Sequence, residues 1–261
     1  MSLWRPTWLL TRRALIQFPR LPAVLAFSLV PPLIQFLLFG AIFENLPDQI
    51  TRAGGSFPTQ NYYEYIAPAI VFFVCVLGIA NAGVALVNDY QNGYFNKILL
   101  APVSMWAILL GRLISDGLRI YVQGAFMLGL ALLFKAEPAT GLPGALLMLA
   151  IASLFAIFSV GIIVANVALK TKDAQAVQAI FPLFFILIFL TTAFMPEQSI
   201  GSELVRNIIK GNPAEYIVRA MHSLMFTGYD AQDIGMAFAV IGGFAVVGIL
   251  LTRFNYRSVY K

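Results

Sequence analysis

Charge is what this sequence has least of. Only 11% of its 261 residues are Asp, Glu, Lys or Arg, against about 25% in an average soluble domain. So few charges cannot clothe a water-facing surface. That excludes a soluble enzyme, a disordered protein and a conventional nucleic-acid-binding domain, so no nucleic-acid partner is expected. Cysteine and histidine are nearly missing too: Cys75 and His222 each stand alone. One cysteine forms no internal disulfide, and one residue of each kind supplies no metal-ligand set. No GxxxxGK[ST] pattern occurs, and none of the six lysines follows a glycine. The chain therefore has no phosphate-cradling loop of its own. No nucleophile–base pair is evident either. His222 is expected at a surface or interface, with no catalytic role.

What is present is apolar. Hydrophobic residues make up 60% of the chain, and its mean hydropathy is +0.83. A hydrocarbon core about 30 Å thick takes roughly 20 apolar residues per helix. Six runs approach or exceed that length: 21–43, 65–87, 113–134, 143–169, 175–195 and 234–251. They predict an all-α integral membrane protein, a single transmembrane domain over 1–261 with six spans and both termini on one side. Under that topology 12 of the 17 basic residues and 3 of the 12 acidic ones share the side of the termini, net +9 against −4. The positive-inside rule assigns the +9 side to the cytoplasm, in a cell (inner) membrane.

Three segments do not fit a plain six-helix bundle. Residues 3–18 read as an interfacial helix, with Trp4, Trp8, Thr11, Leu15 and Phe18 on one face and Arg5 and Arg12 to one side; a simple basic flank is the plainer alternative. Ile98–Leu110 is apolar but only thirteen residues long, too short to span. Gly93 ends the helix before it and Pro102 can start the next one. A short helix over 94–100 is expected at the cytoplasmic face, and its exposed apolar residues need a partner or a membrane surface. The third segment, 197–228, holds two helical stretches broken by Gly211-Asn212-Pro213. Asn212 would cap the second, with Pro213 at its first position. Such a pair can dip into the outer leaflet and return.

Polar groups inside the spans are few and costly. Asp116 and Arg119 lie three apart on one helix face. They form either a transmission pair or an intrahelical pair that hides two charges. Gln35, Asn81, Gln123 and Asn166 are candidates for lining a path or for bonding between helices. Phe72, Phe73, Phe181, Phe184, Phe185 and Phe189 offer a greasy path or simply core. No span carries a central acid, which argues against a proton- or sodium-coupled carrier.

The run Gly93-Tyr94-Phe95-Asn96-Lys97-Ile98-Leu99-Leu100-Ala101-Pro102-Val103-Ser104 resembles the segment after the second span of type 2 ABC exporter permeases. Asn212-Pro213-Ala214-Glu215-Tyr216 resembles that family's Asn-Pro-x-x-Tyr segment. Val30-Pro31-Pro32 with Phe39-Gly40-Ala41-Ile42-Phe43 resembles its first span. The likeness covers nearly the whole chain in order and spacing, and is closest to the drug- and antibiotic-exporting branch. Three features depart from the pattern. Asn96 replaces a frequent acid, His222 stands where Arg is common, and a proline between Pro196 and Asn212 is missing. The resemblance implies a coupling helix over 94–100, formed by Gly93, Tyr94, Phe95, Asn96, Lys97, Ile98, Leu99 and Leu100 with Pro102, docking on a separate ATPase. It implies two ATPase copies that bind ATP and Mg, no cofactor on this chain, and a second permease chain, identical or not. Asn212, Pro213 and Tyr216 then belong to an outer re-entrant segment. The cargo implied is an amphiphilic or hydrophobic drug, lipid or glycolipid. An autonomous carrier or channel without an ATPase is the alternative, with a membrane-embedded enzyme or a passive anchor behind it.

Overall fold

Uncharged runs become helices in a bilayer because only a helix or a closed barrel satisfies every backbone N–H and C=O without water. A computed structural model of the chain describes residues 7–9, 11, 12, 16, 22–93 and 105–259, with no strand among them. In chain order the helices are α1 (Pro22–Ile42), α2 (Leu46–Arg52), α3 (Tyr62–Gln91), α4 (Met105–Leu133), α5 (Gly141–Thr171), α6 (Ala174–Phe189), α7 (Glu203–Gly211), α8 (Pro213–His222) and α9 (Ala231–Val259). The expected coupling helix over 94–100, together with Pro102, lies outside the described residues, as does most of 3–18.

Among the described residues five helices are long and apolar enough to cross a membrane, and α6 is a shorter apolar one. The fifth run read from the sequence, 175–195, thus forms less helix than its composition promised. Pro182 sits in the first turn of the piece Phe181–Phe189, and Ala179 and Ile180 before it form a turn. Proline has no N–H to donate to the carbonyl four residues back, so the hydrogen-bond ladder is interrupted there. The other end stops at Leu190, whose ψ of 48° leaves the helical region. α5 is also irregular, with a π-helical stretch over Ala156–Gly161.

α3 is the central post. It packs against α1, α4, α5, α6 and α8. Tyr62, Tyr65 and Phe72 from α3, Phe36 from α1 and Phe155 from α5 are among the largest fully buried side chains. Close approach depends on Gly83: a Cβ built there would lie 1.9 Å from Val164 Cγ1 on α5. α1 and α9 sit at the periphery and turn apolar side chains outward, among them Ile34, Leu38, Ile42, Val246 and Leu250.

The two ends of the bundle differ chemically. At one end α3 stops at Gly93, which has a φ of +69°, the left-handed conformation that glycine adopts without strain. Beside it Gln91 Nε2 donates to Lys172 O at 3.1 Å, and Lys172 Nζ lies 4.5 Å from the centre of the Tyr90 ring. Thr11 Oγ1 donates to Gly111 O at 3.1 Å, so Thr7 and Thr11 face inward while Trp8 and Leu9 face outward. This is the basic end. At the other, acidic end, Ala139 N–H donates to Met225 O at 2.8 Å, Thr140 Oγ1 to Leu224 O at 2.7 Å, and Arg219 pairs with Asp233 at 3.1 Å.

Candidate functional site

At the basic end α4 presents Arg112, Asp116, Arg119 and Gln123 toward its neighbours at spacings of four, three and four, one stripe of a helix. Arg112 is the hub. Its Nη1 pairs with Asp89 Oδ2 on α3 at 2.6 Å, and its Nε pairs with Asp116 Oδ2 at 3.2 Å. Its Nη2 donates to Ala82 O at 2.9 Å. Arg119 Nη2 donates to Gly78 O at 2.8 Å. The Asp116–Arg119 contact expected from the sequence is present at 3.8 Å but is the loosest link of the cluster. The physical reason is competition: the Asp116 carboxylate meets Arg112 one turn earlier on the same face, and Arg119 is drawn to an α3 carbonyl. Glycine at 78 and alanine at 82 leave the guanidinium groups room to reach the α3 backbone. The cluster brackets residues 94–104, fastening the helix before them to the helix after them.

The four polar span residues separate into two kinds. Gln123 is buried and its Nε2 donates to Ser28 Oγ at 2.7 Å, joining α4 to α1. Asn166 Nδ2 donates to Thr252 Oγ1 at 3.1 Å, joining α5 to α9. Asn81 on α3 is exposed and Gln35 on α1 is half-buried. The aromatic set also divides. Phe72, Phe73 and Phe184 belong to the core, whereas Phe185 and Phe189 on α6 stay exposed.

At the acidic end the polar geometry centres on α8. Asn212 Oδ1 accepts from Ala214 N–H at 2.9 Å, which caps α8, and Pro213 occupies the first turn. The amide's other half reaches across to α6: Nδ2 donates to Leu187 O at 2.7 Å and to Leu190 O at 2.6 Å. Asn61 does the same work elsewhere. It caps α3 through Tyr63 N–H at 3.0 Å and donates to Phe134 O, at the end of α4, at 2.9 Å. One turn into α8, Glu215 is buried and takes both the N–H of Thr192, at 2.7 Å, and its hydroxyl, at 2.8 Å. The Thr192 carbonyl accepts from Tyr65 OH at 2.7 Å. Tyr216, the other motif residue, donates to Lys210 O at 3.2 Å in an exposed place.

His222 is half-buried, at the interface of α8 with α3, with its ring turned inward. Its ring lies 4.9 Å from the Tyr65 ring and 5.5 Å from the Phe226 ring, and its Nε2 is buried without a hydrogen-bond partner. α8 ends there in a π turn over Ser223–Thr227 that folds the histidine inward. Burial pushes the imidazole down to about 4, so it is neutral in the fold. The unfolded chain takes a proton there below about pH 6.5. Unfolding in that window gains a proton, and this contribution to stability is lost as pH falls from 6.5 toward 4. Burial raises the Glu215 carboxyl, which acts in the opposite sense. The His222 part is isolated by difference: a His222→Phe variant should lose less thermal stability than the parent between pH 7 and pH 5, measured in detergent. Equal losses would contradict a buried neutral imidazole.

Long apolar helices with their charges gathered at the ends define a multi-pass membrane protein. The sequence model described as ABC-2 type transporter matches residues 5–226, and the chain belongs to that family: it is a transmembrane transporter component. It is similar to the ycf38 transport permease of Cyanophora paradoxa, 26% identical over 97% of this chain and 89% of that protein. The ycf38 permease of Pyropia yezoensis is 32% identical over 39% of this chain and 33% of its own length. The inner membrane transport permease YhhJ of Escherichia coli is 25% identical over 71% of this chain and 50% of that protein.

Proposed function

We propose that the chain is the permease subunit of an ATP-driven exporter, moving an amphiphilic or hydrophobic substrate out of the cytoplasm or inner leaflet. Drug, lipid and glycolipid all fit that description. The +9 end faces the cytoplasm in this reading, with both termini. The observation that carries it is the Asp89–Arg112–Asp116–Arg119 cluster, which ties together the two helices flanking residues 93–104. A separate ATPase docks on Gly93 to Leu100 with Pro102, and closure of its two copies on ATP pushes that segment. Because Arg112 binds both flanking helices, the push moves α3 and α4 as one body. ATP and Mg belong to the partner.

A second permease chain completes the path. Asn81 supports this, because a polar side chain left open on a span is costly against lipid. The exposed Phe185 and Phe189 on α6 suit an apolar cargo. In this reading Gln123 and Asn166 hold helices together, and the path is lined by Asn81, Gln35 and the α6 aromatics.

The decisive experiment is purification from the native membrane. An ATP-binding subunit should accompany the chain, and Leu99→Asp should abolish that retention and ATPase stimulation while the spans stay folded. A chain that moves substrate alone after reconstitution, or a Leu99→Asp variant that keeps its ATPase and full transport, would overturn the reading.

A further inference from the structure

Residues 190–194 leave helical geometry while Thr191, Thr192 and Ala193 remain buried. Non-helical backbone at membrane depth persists only where protein supplies its hydrogen bonds. Here two helices supply them. From α8, Asn212 takes the carbonyls of Leu187 and Leu190, and Glu215 takes the Thr192 N–H and hydroxyl. From α3, Tyr65 OH donates to Thr192 O at 2.7 Å and Tyr62 OH to Phe194 O at 3.0 Å. Thr192 is thus held by α8 through its N–H and hydroxyl and by α3 through its carbonyl. The α8 grip rests on two side chains in and just before one turn, and Glu215 alone holds both Thr192 donors. On the basic-end side of this run lies α6, whose Leu183, Phe185, Ile186 and Phe189 stay exposed.

We propose that Glu215, seconded by Asn212, is a latch that holds residues 190–194 shut over the end of α6, and that its release opens the acidic end of the bundle during transport. This rests on the exporter reading above. Glu215 is a positioning residue in it, acting on Thr192 and not on cargo. Its chemistry sets a specific expectation. One side-chain oxygen must accept from the Thr192 N–H. The second atom meets a hydroxyl, which donates or accepts. A carboxamide therefore serves as well as a carboxylate, and a methyl group does not serve at all.

Cys75 is fully buried and is the only cysteine of the chain, so one added cysteine reports without background. With Ala193→Cys as reporter and a membrane-impermeant maleimide as probe, the otherwise unaltered chain should label slowly. Adding Glu215→Ala should speed labelling about tenfold or more, and adding Glu215→Gln should leave it slow. In the assembled transporter Glu215→Ala should lower substrate exported per ATP hydrolysed several-fold, with ATPase activity kept. Labelling of Glu215→Ala at the parent rate overturns the latch, as does Glu215→Gln behaving like Glu215→Ala. Where Glu215→Ala does not fold, Thr192→Val removes one of the two bonds and must still speed labelling; if it does not, the latch is overturned. Labelling needs no ATPase, so the latch and the exporter reading fail separately.

Discussion

Arg112→Ala should destabilise the protein by about 2–3 kcal/mol. Removing one partner of a buried ion pair costs roughly 3–5 kcal/mol because the other charge is stranded, and partial exposure reduces that. Here two carboxylates are stranded, Asp89 at 40% side-chain exposure and Asp116 at 13%. Asp116 carries most of the penalty, since Arg119 is 3.8 Å away and already committed to the Gly78 carbonyl. Two companion variants sharpen the expectation. Arg112→Lys keeps a cation but not the fork that reaches Asp89, Asp116 and Ala82 together, so it should recover only part of the loss. Arg112→Ala with Asp116→Asn removes the more buried of the two stranded charges and should recover more. Thermal unfolding in detergent measures all three. If the double variant is no more stable than Arg112→Ala, the stranded charge is not the cause. Transport should fall further than stability does, because α3 and α4 lose their common fastening beside residues 94–104.

Gly83→Val is the second large effect. The new Cβ would lie 1.9 Å from Val164 Cγ1 and 3.2 Å from Val177 Cγ1. Val164 and Val177 are both fully buried and short, so neither has a flexible end that swings away. Overpacking typically costs about 1–3 kcal/mol and sometimes more; a clash this close with a short, buried side chain of α5 belongs at or above the top of that range. The expected result is poor membrane accumulation and a clearly lowered unfolding temperature. Gly129→Val is the control, since nothing lies within 4 Å of a Cβ at that position, and it should be tolerated. Val164→Ala should rescue Gly83→Val in part by removing the obstructing methyl groups. If Gly83→Val unfolds at the parent temperature, α3 and α5 do not pack as closely as described.

The sequence disclosed what depends on local spacing. Uncharged runs marked the long helices, Asn212 before Pro213 marked the start of α8, and Asp116 three residues before Arg119 marked charges on one face. It hid what depends on two segments meeting. Asp89 and Arg112 stand 23 residues apart, and no periodicity sets the register of the hairpin that joins them. The Arg112–Asp116 spacing of four was legible by the same rule that gave Asp116–Arg119 and is the tighter contact. Glu215 counted only as one more acid on one side of the membrane, because its partner Thr192 lies on another element. α6 was overestimated because hydropathy counts residues 190–195 as apolar without asking where their backbone bonds go. The expectation of a surface or interface place for His222 left out its ring partners, because a lone polar residue in a polar-looking connection gives no sign that Tyr65 and Phe226 pack against it.

The two asparagines that each join a helix start to a helix end differ in one covalent detail. An asparagine ages when the backbone nitrogen of the next residue attacks its side-chain carbonyl and ammonia departs, leaving a cyclic imide that water opens to aspartate or isoaspartate. Pro213 has no N–H to make that attack, so Asn212 is shielded from this route by its neighbour. Asn61 is followed by Tyr62, whose nitrogen carries a hydrogen. Aspartate at 61 would still accept from Tyr63 N–H but would turn an oxygen, not a donor, toward the Phe134 carbonyl 2.9 Å from the present amide nitrogen. In a long-lived population of this protein, chemical wear at these two junctions should therefore appear at 61 before 212, loosening the α3–α4 corner while the α6–α8 junction stays intact.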